Sequence, residues 1–360
     1  MSRVFFAGFV VLIFCGVMAA QPGGGSMGAN GGQPPTPGSQ MGDGSRPMGM
    51  PGMPMLSGTV VMEDGAAPPA PVVIERVCAG IGRPEARTNE KGAFKLAFTR
   101  MAAPGQPPAS NDGCSIKAAL AGFSSDSADL TGRKPNKSEL GKVILHPIEG
   151  VKGFTFSKTT KEAPKDARKQ FEGSRESLEK NKPDAAEKQI HKAVEIYPAF
   201  AEAWQVLGTL QLEAKKPAEA KASFEQALKA DPEFVAPYAQ LARIAASRND
   251  WQTVVDLTDK CVALNPYYSP EMLLGAALAN HNLKKLDVAQ TRAEQAIRAD
   301  EQNALPRARY ILGLLEAERG NFKAAAVSLR EYLTLFPNTN DAATVKQQLA
   351  QIEQRAAATK

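Results

Sequence analysis

Histidine is nearly missing from this chain of 360 residues: there are three, His146, His191 and His281, none with a second histidine or a cysteine at helical or hairpin spacing. A zinc site needs three or four convergent ligands, so metal-dependent catalysis finds no footing and no cofactor is implied. Cysteine is scarce too, at four, and no Cys–His pairing suggests a thiol nucleophile. A dominant charge is also lacking. The 43 Lys and Arg face 38 Asp and Glu, interspersed along the chain. A balance without a basic stripe is no nucleic-acid footprint. With neither catalytic nor nucleic-acid signatures, the chain reads as non-catalytic.

Only the first twenty residues, MSRVFFAGFVVLIFCGVMAA, hold a long apolar run. One Arg, then the run, then small residues make residues 1–20 a secretory signal peptide, cut after Ala19 or Ala20. Val4 to Met18 is short for a spanning helix, so no transmembrane span is expected after cleavage. Phe14 before Cys15 is too bulky for a lipoprotein signal. Export, to the periplasm or the extracellular space, implies an oxidising compartment. Cys78, Cys114 and Cys261 remain, an odd number, so one thiol stays unpaired.

Residues 21–55 are Gly, Pro, Met, Gln and Ser with almost nothing to bury, a disordered linker. A GxGxxG and a GxSxG pattern between Gly23 and Gly28 lack the strand and helix that would aim them. Met48, Met50, Met53 and Met55 are close enough for their thioethers to hold Cu(I), which makes copper handling one alternative function.

From 56 to 150 the pattern alternates with a period of two, with turn residues every ten to fifteen positions. LSGTVVMEDG reads as a strand ending in an Asp64-Gly65 turn. PVVIERV is a second strand, RTNEKGAFKLAF is strand, turn at Gly92 and strand, and CSIKAALAGF and GKVILHPI supply two more. A small antiparallel β-sandwich follows. The pieces Ser57-Gly58-Thr59-Val60 with Asp64-Gly65, Thr88 to Phe94, Ala121-Gly122-Phe123 and Gly141 to Leu145 resemble a carboxypeptidase regulatory-like domain, a prealbumin-type sandwich. That resemblance implies a non-catalytic spacer or adhesion module. The chain departs from it in a Pro/Gly-rich insertion, Met101 to Gly113, and in Cys78 and Cys114. These two are expected to form a disulfide between the second strand and the strand starting near Cys114, the alternative being two free thiols.

A Lys- and Thr-rich connector covers 151–164, and helical periodicity runs from 165 to the end. Counting Ala201 as position 1, Trp204 falls at 4, Leu207 and Gly208 at 7 and 8, Ala220 at 20, Phe224 at 24, Ala227 at 27 and Pro232 at 32. These positions resemble a tetratricopeptide repeat, a helical hairpin with small residues where its helices touch. Neighbours follow the same period: Ala167 to Phe200 with Ala186, Ile190, Ala193 and Pro198, and Val235 to Tyr268 with Tyr238, Leu241, Cys261 and Pro266. The fourth unit, Ser269 to Leu305, places Glu301 where proline is expected and needs two extra residues, expected in its internal turn near His281 to Leu286. Pro306 to Thr339 closes the array, giving five repeats within 165–339 and a capping helix in 340–360. Cys261, at a small buried position, reads as a packed thiol.

The expected fold is thus multidomain: a small all-β prealbumin-like sandwich followed by an all-α solenoid of exported bacterial type. In arrays of this family, positions 2, 5, 9 and 12 of each first helix face a concave groove. They are Arg168, Phe171 and Arg175; Gln205 and Thr209; Ala239 and Arg243; Met272 and Ala276; and Arg307, Tyr310 and Leu314. Guanidinium groups among apolar residues suit a carboxylate-bearing peptide. The implied partner is a protein or peptide, with association with the cell envelope, and the implied role a scaffold. Surface or carbohydrate adhesion through the sandwich is the other alternative.

Overall fold

The computed structural model describes residues 54–98, 111–134, 139–300 and 305–358. The signal segment, the linker up to residue 53 with Met48, Met50 and Met53, and most of the insertion from Met101 lie outside the described residues. Met55 is inside them, as the first residue of a strand.

Eight strands form the β domain: β1 Met55–Met62, β2 Val73–Cys78, β3 Ile81–Arg87, β4 Ala93–Ala97, β5 Cys114–Ala119, β6 Phe123–Ser125, β7 Ser127–Asp129 and β8 Glu139–Pro147. They make two four-stranded sheets, ordered β4-β1-β8-β6 and β3-β2-β5-β7. Alternation along β1, β4 and β8 turns Leu56, Val60, Phe94, Leu96, Val143 and Leu145 inward. They meet Ile74, Ile116 and Ala118 of the second sheet in one core.

The sequence predicts antiparallel pairing throughout, but β1 and β8 run parallel at the centre of their sheet. The first and last strands are joined by the rest of the domain, and so long a connection permits either direction. The alternation also does not pick out β3, β6 and β7. Pro84 sits in β3, which is an edge strand, where a missing N–H costs no ladder bond. The other two are three residues each. Cys78 and Cys114 face each other across β2 and β5 and are joined by a disulfide.

A buried Arg76 on β2 ties its sheet to the end of β4 in the other. Its guanidinium donates to Glu85 Oε2 at 2.9 Å, to the Phe98 carbonyl at 2.9 Å and to Asn111 Oδ1. A buried charge is tolerable only with such a full set of partners.

The helical part begins with a single turn, α1 Thr159–Glu162. Five hairpins follow: α2 Lys165–Glu179 with α3 Pro183–Ile196; α4 Ala201–Glu213 with α5 Pro217–Ala230; α6 Val235–Ser247 with α7 Trp251–Leu264; α8 Pro270–Asn282 with α9 Leu286–Ala299; α10 Pro306–Glu318 with α11 Phe322–Leu335. The last helix, α12 Ala342–Ala358, packs on α11. Small residues set the hairpin contacts: Ala186, Ala220, Ala289 and Ala325 are fully buried. Three hairpins add a hydrogen bond between their helices, part-buried from Ser177 Oγ to Gln189 Oε1 and buried from Ser223 Oγ to Gln211 Oε1 and from Ser328 Oγ to Glu316 Oε2, at 2.7–2.8 Å.

The fourth repeat is not lengthened where the periodicity suggests. Its internal turn, 283–285, has three residues like 180–182, 214–216, 248–250 and 319–321. The extra residues fall between repeats, in 265–269 and 300–305, which have five and six residues against four in 197–200 and 231–234. The short turns are uniform because each reverses the chain through one left-handed residue: Asn181, Lys215, Asn249, Lys284 or Gly320, with φ from 53° to 81°. An inserted residue would break that closure, whereas a connection between repeats can lengthen.

The connector is not a loose spacer. Phe154 and Phe156 stack with centroids 5.1 Å apart, and Phe123 of the β domain lies 5.2 Å from Phe154. The same segment pairs its backbone with the solenoid in a parallel bridge between Phe154 and Phe234.

Candidate partner-binding groove

The twelve inward positions divide sharply once packed. Phe171 is buried against Phe200, ring centroids 4.9 Å apart, and Tyr310 is buried beside Tyr332 with its hydroxyl donating to Gln348 Oε1 of α12. Both were expected to meet a partner and instead belong to the core. The sequence cannot reveal this, because an aromatic at an inward position is withdrawn only when the neighbouring hairpin or cap lies over it. Met272 and Ala276 are buried as well, on a helix buried over most of its surface. Ala239 and Leu314 are partly exposed.

The polar residues fall into three states. Arg175 reaches Glu90 of the β3–β4 turn at 3.7 Å, so the β domain engages it. Thr209 turns its hydroxyl back to the Gln205 carbonyl at 3.0 Å. Arg168 and Arg243 make no ion pair or side-chain hydrogen bond among the described residues, and Gln205 buries its Oε1 there without a donor. Arg307 is half-buried near Tyr310 and Tyr332 and lowers the acidity shift that burial imposes on both phenols. Most other arginines of the solenoid are paired, as in Arg292 with Asp259, Arg319 with Asp287 and Arg330 with Glu353, at 2.6–2.7 Å.

Residues outside the predicted set engage the connector, one at an inward position and two at the junctions between repeats. Glu202, at position 2 of the second repeat, accepts from the Ser157 N–H at 2.9 Å. Burial pushes its carboxyl above the ordinary carboxylate range, opposed by that hydrogen bond and by Arg175. Asp231 accepts from Ser157 Oγ at 2.6 Å and from the Lys158 N–H at 3.0 Å. Asn265 donates to the Gly153 carbonyl at 3.0 Å. No side-chain periodicity signals these contacts, since the connector contributes mostly backbone atoms.

Elsewhere, a polar cleft of about 520 Å³ opens beside β7 and β8, lined by Asp126, Asp129, Arg133 and Lys142 among others. Arg133 is spent there on the Asp129 and Glu139 carbonyls. Cys261 is fully buried and its thiol is pushed up to about 12 by desolvation, so it is no nucleophile at neutral pH. Among the described residues no group of three His, Cys, Asp or Glu side chains converges, and no helix is long and apolar enough to cross a membrane.

Five stacked hairpins with small residues at their crossings and a terminal helix define an α-solenoid of 34-residue type. The chain is a tetratricopeptide-repeat protein with an N-terminal two-sheet β domain. Two family models for the tetratricopeptide repeat match it, over residues 177–243 and 274–339. Among solved structures it is similar to MamA 41-end from Desulfovibrio magneticus RS-1, at 15% identity and TM-score 0.44, covering 49% of this chain and 99% of that one. It is also similar to YrrB, described as a TPR protein with an unusual peptide-binding site, at 22% identity and TM-score 0.46, covering 53% of this chain and 96% of that one. PilW, a type IV pilus biogenesis factor, matches at 18% identity and TM-score 0.44, covering 54% and 90%. No curated protein matches the chain.

Proposed function

We propose that the protein is an exported, non-catalytic scaffold that holds a peptide or protein partner on the inward face of its solenoid. The observation that supports this most is a set of polar groups left unspent there. Arg243 is half-buried without a carboxylate, and Gln205 presents a buried acceptor without a donor. An acceptor sealed from water costs about 1–3 kcal/mol when unpaired, so a turn of the Gln205 amide toward a bound peptide N–H would recover that cost. The guanidinium fits a carboxylate of the bound segment. Arg168 extends the same charge toward the first repeat. Export is supported by the disulfide, a bond that persists in oxidising compartments. The β domain, in its resemblance to carboxypeptidase regulatory-like sandwiches, would serve as spacer or second binding surface.

The test is affinity capture from the native host with the full chain and with Arg243→Glu/Arg168→Glu. Envelope proteins retained by the wild type and lost by the double variant, at unchanged helicity by circular dichroism, are expected. Equal retention by both would remove the inward face from the binding reaction.

A further inference from the structure

We propose that the rim where repeats 2 and 3 join their neighbours is a peptide-binding site, and that residues 152–159 of the connector, which run from a backbone bridge at Phe154 into the first turn of α1, are its built-in occupant. This site lies mainly on the junctions between repeats and touches the inward positions only at Glu202; Arg168 and Arg243 take no part in it, so the two readings are tested separately.

The first observation concerns helix ends. The opening N–H groups of an α-helix have no partner within it, and a polar side chain just ahead usually supplies one. Helices α4 and α6 are preceded by Phe200 and Phe234, which supply none. The connector does so instead. Thr159 Oγ1 accepts from the Ala201 N–H at 3.1 Å, and the Phe154 carbonyl accepts from the Val235 N–H at 3.0 Å. Two consecutive repeats therefore lack side-chain caps of their own and receive partners from one continuous segment.

The second observation is positional. Asp231 and Asn265 follow the last residues of α5 and α7, equivalent places one repeat apart, and both turn to the connector. Asp300 holds the same place after α9 but accepts from its own Leu305 N–H at 2.7 Å. Asp231 and Asn265 likewise accept from their own chain, from the Glu233 and Tyr267 N–H groups, so what marks these two junctions is the additional contact each makes with the connector.

The third is steric. A Cβ on Gly153 would lie 2.6 Å from the Glu233 carbonyl oxygen and 2.8 Å from both Leu264 and Val235 side-chain carbons. Backbone cannot yield as a flexible side chain can, so only glycine passes this point. The Lys152 and Gly153 N–H groups share the Leu264 carbonyl, at 2.9 and 3.0 Å. Further along, Ser157 and Lys158 meet the carboxylates of Glu202, Asp231 and Glu233. The ligand class follows: a segment with a glycine, aromatic residues after it, and a hydroxyl and a cation four and five places beyond, as in Gly153-Phe154-Thr155-Phe156-Ser157-Lys158. Backbone pairing gives such recognition its affinity, and the glycine and Ser-Lys positions its selectivity.

Hydrogen exchange on the full chain and a synthetic peptide of residues 150–160 provide the test. In the wild type, the amides of Gly153, Phe154, Ser157 and Lys158 exchange at least tenfold more slowly than unstructured chain. Gly153→Val abolishes that protection while α3, α5 and α7 keep theirs. The labelled peptide then binds the Gly153→Val chain at least tenfold more tightly than the wild type, and a peptide carrying Val at 153 binds neither. Ser157→Ala, which leaves the backbone contacts in place, is a second variant that raises exchange at Lys158 several-fold. Unprotected connector amides in the wild type, protection unchanged in Gly153→Val, or no peptide binding by a folded chain whose connector has lost protection would each overturn the proposal.

Discussion

Replacing glycine by alanine at the same place in three repeats should give opposite signs. Gly208, Gly275 and Gly313 each occupy the first helix of a hairpin, at the point facing its second helix. The eighth residue of that second helix decides the outcome. A Cβ on Gly208 would stand 2.6 Å from the ring of fully buried Phe224, and one on Gly313 would stand 2.8 Å from Leu329. In the fourth repeat the equivalent residue is Ala293, and a Cβ on buried Gly275 meets no heavy atom within 4 Å. Alanine is favoured over glycine in a helix interior by about 1 kcal/mol, and a buried methyl adds about 0.8 kcal/mol. Gly275→Ala should therefore stabilise by about 1–2 kcal/mol. At Gly208 the same propensity gain is set against about 1–3 kcal/mol of overpacking, for a net loss of about 1 kcal/mol. Gly313 should fall between, because its Cβ would stand 2.8 Å from the branched end of Leu329, a less severe approach than the 2.6 Å to the Phe224 ring. Urea unfolding followed by far-ultraviolet circular dichroism reads the order of midpoints: Gly275→Ala above wild type, Gly208→Ala below. Shifts of one sign at all three positions, or a lowered midpoint for Gly275→Ala, would refute the packing account.

Other perturbations are as definite. Cys78 and Cys114 are 36 residues apart, and opening a loop of that length costs about 4 kcal/mol in chain entropy; Cys78→Ser/Cys114→Ser should lower the β-domain thermal midpoint while the helical signal melts unchanged. His146 bridges Glu63 at 2.7 Å and Asp126 at 3.1 Å, and these hydrogen bonds raise its pKa above 6.5. The imidazolium clip is therefore fully present below the unfolded value near 6.5 and is lost as pH rises through the higher folded value; His146→Gln should flatten the β-domain melting temperature between pH 6 and 8. The buried thiol of Cys261, pushed up to about 12, should resist maleimide at pH 7.5 in the native protein and react on unfolding, as peptide mass spectrometry would show. Lys215 and Lys284 adopt left-handed backbone at φ 60° and 62°, so Lys284→Gly should raise the unfolding free energy by about 0.5–1 kcal/mol, read as a higher urea midpoint at unchanged m-value.

The repeats were legible because packing two helices needs small residues at a fixed interval. Ala186, Ala220, Ala289 and Ala325 carry that demand on the sequence itself, wherever the neighbours lie. The sandwich was legible in its longer strands for a similar reason, since a half-buried strand must alternate. The parallel union of β1 and β8 was not, because alternation states which face a residue takes and says nothing of direction. The candidate groove was legible as a set of positions and only partly as a surface. Arg243 is half-exposed, while Phe171 and Tyr310 are drawn into the core by rings from elsewhere in the fold.

By itself, then, the sequence determined the local units: strands from alternation, hairpins from the spacing of small residues, a buried thiol from its place in a repeat. These depend on contacts within about 34 residues, and periodicity records them. Only the tertiary structure decided what joins distant segments. The connector docks through backbone groups, which every residue possesses and no composition reveals, and Gly153 becomes indispensable only once Glu233, Leu264 and Val235 close around it. The added residues likewise settled between repeats, where the chain is free to lengthen, and left the left-handed turns at three.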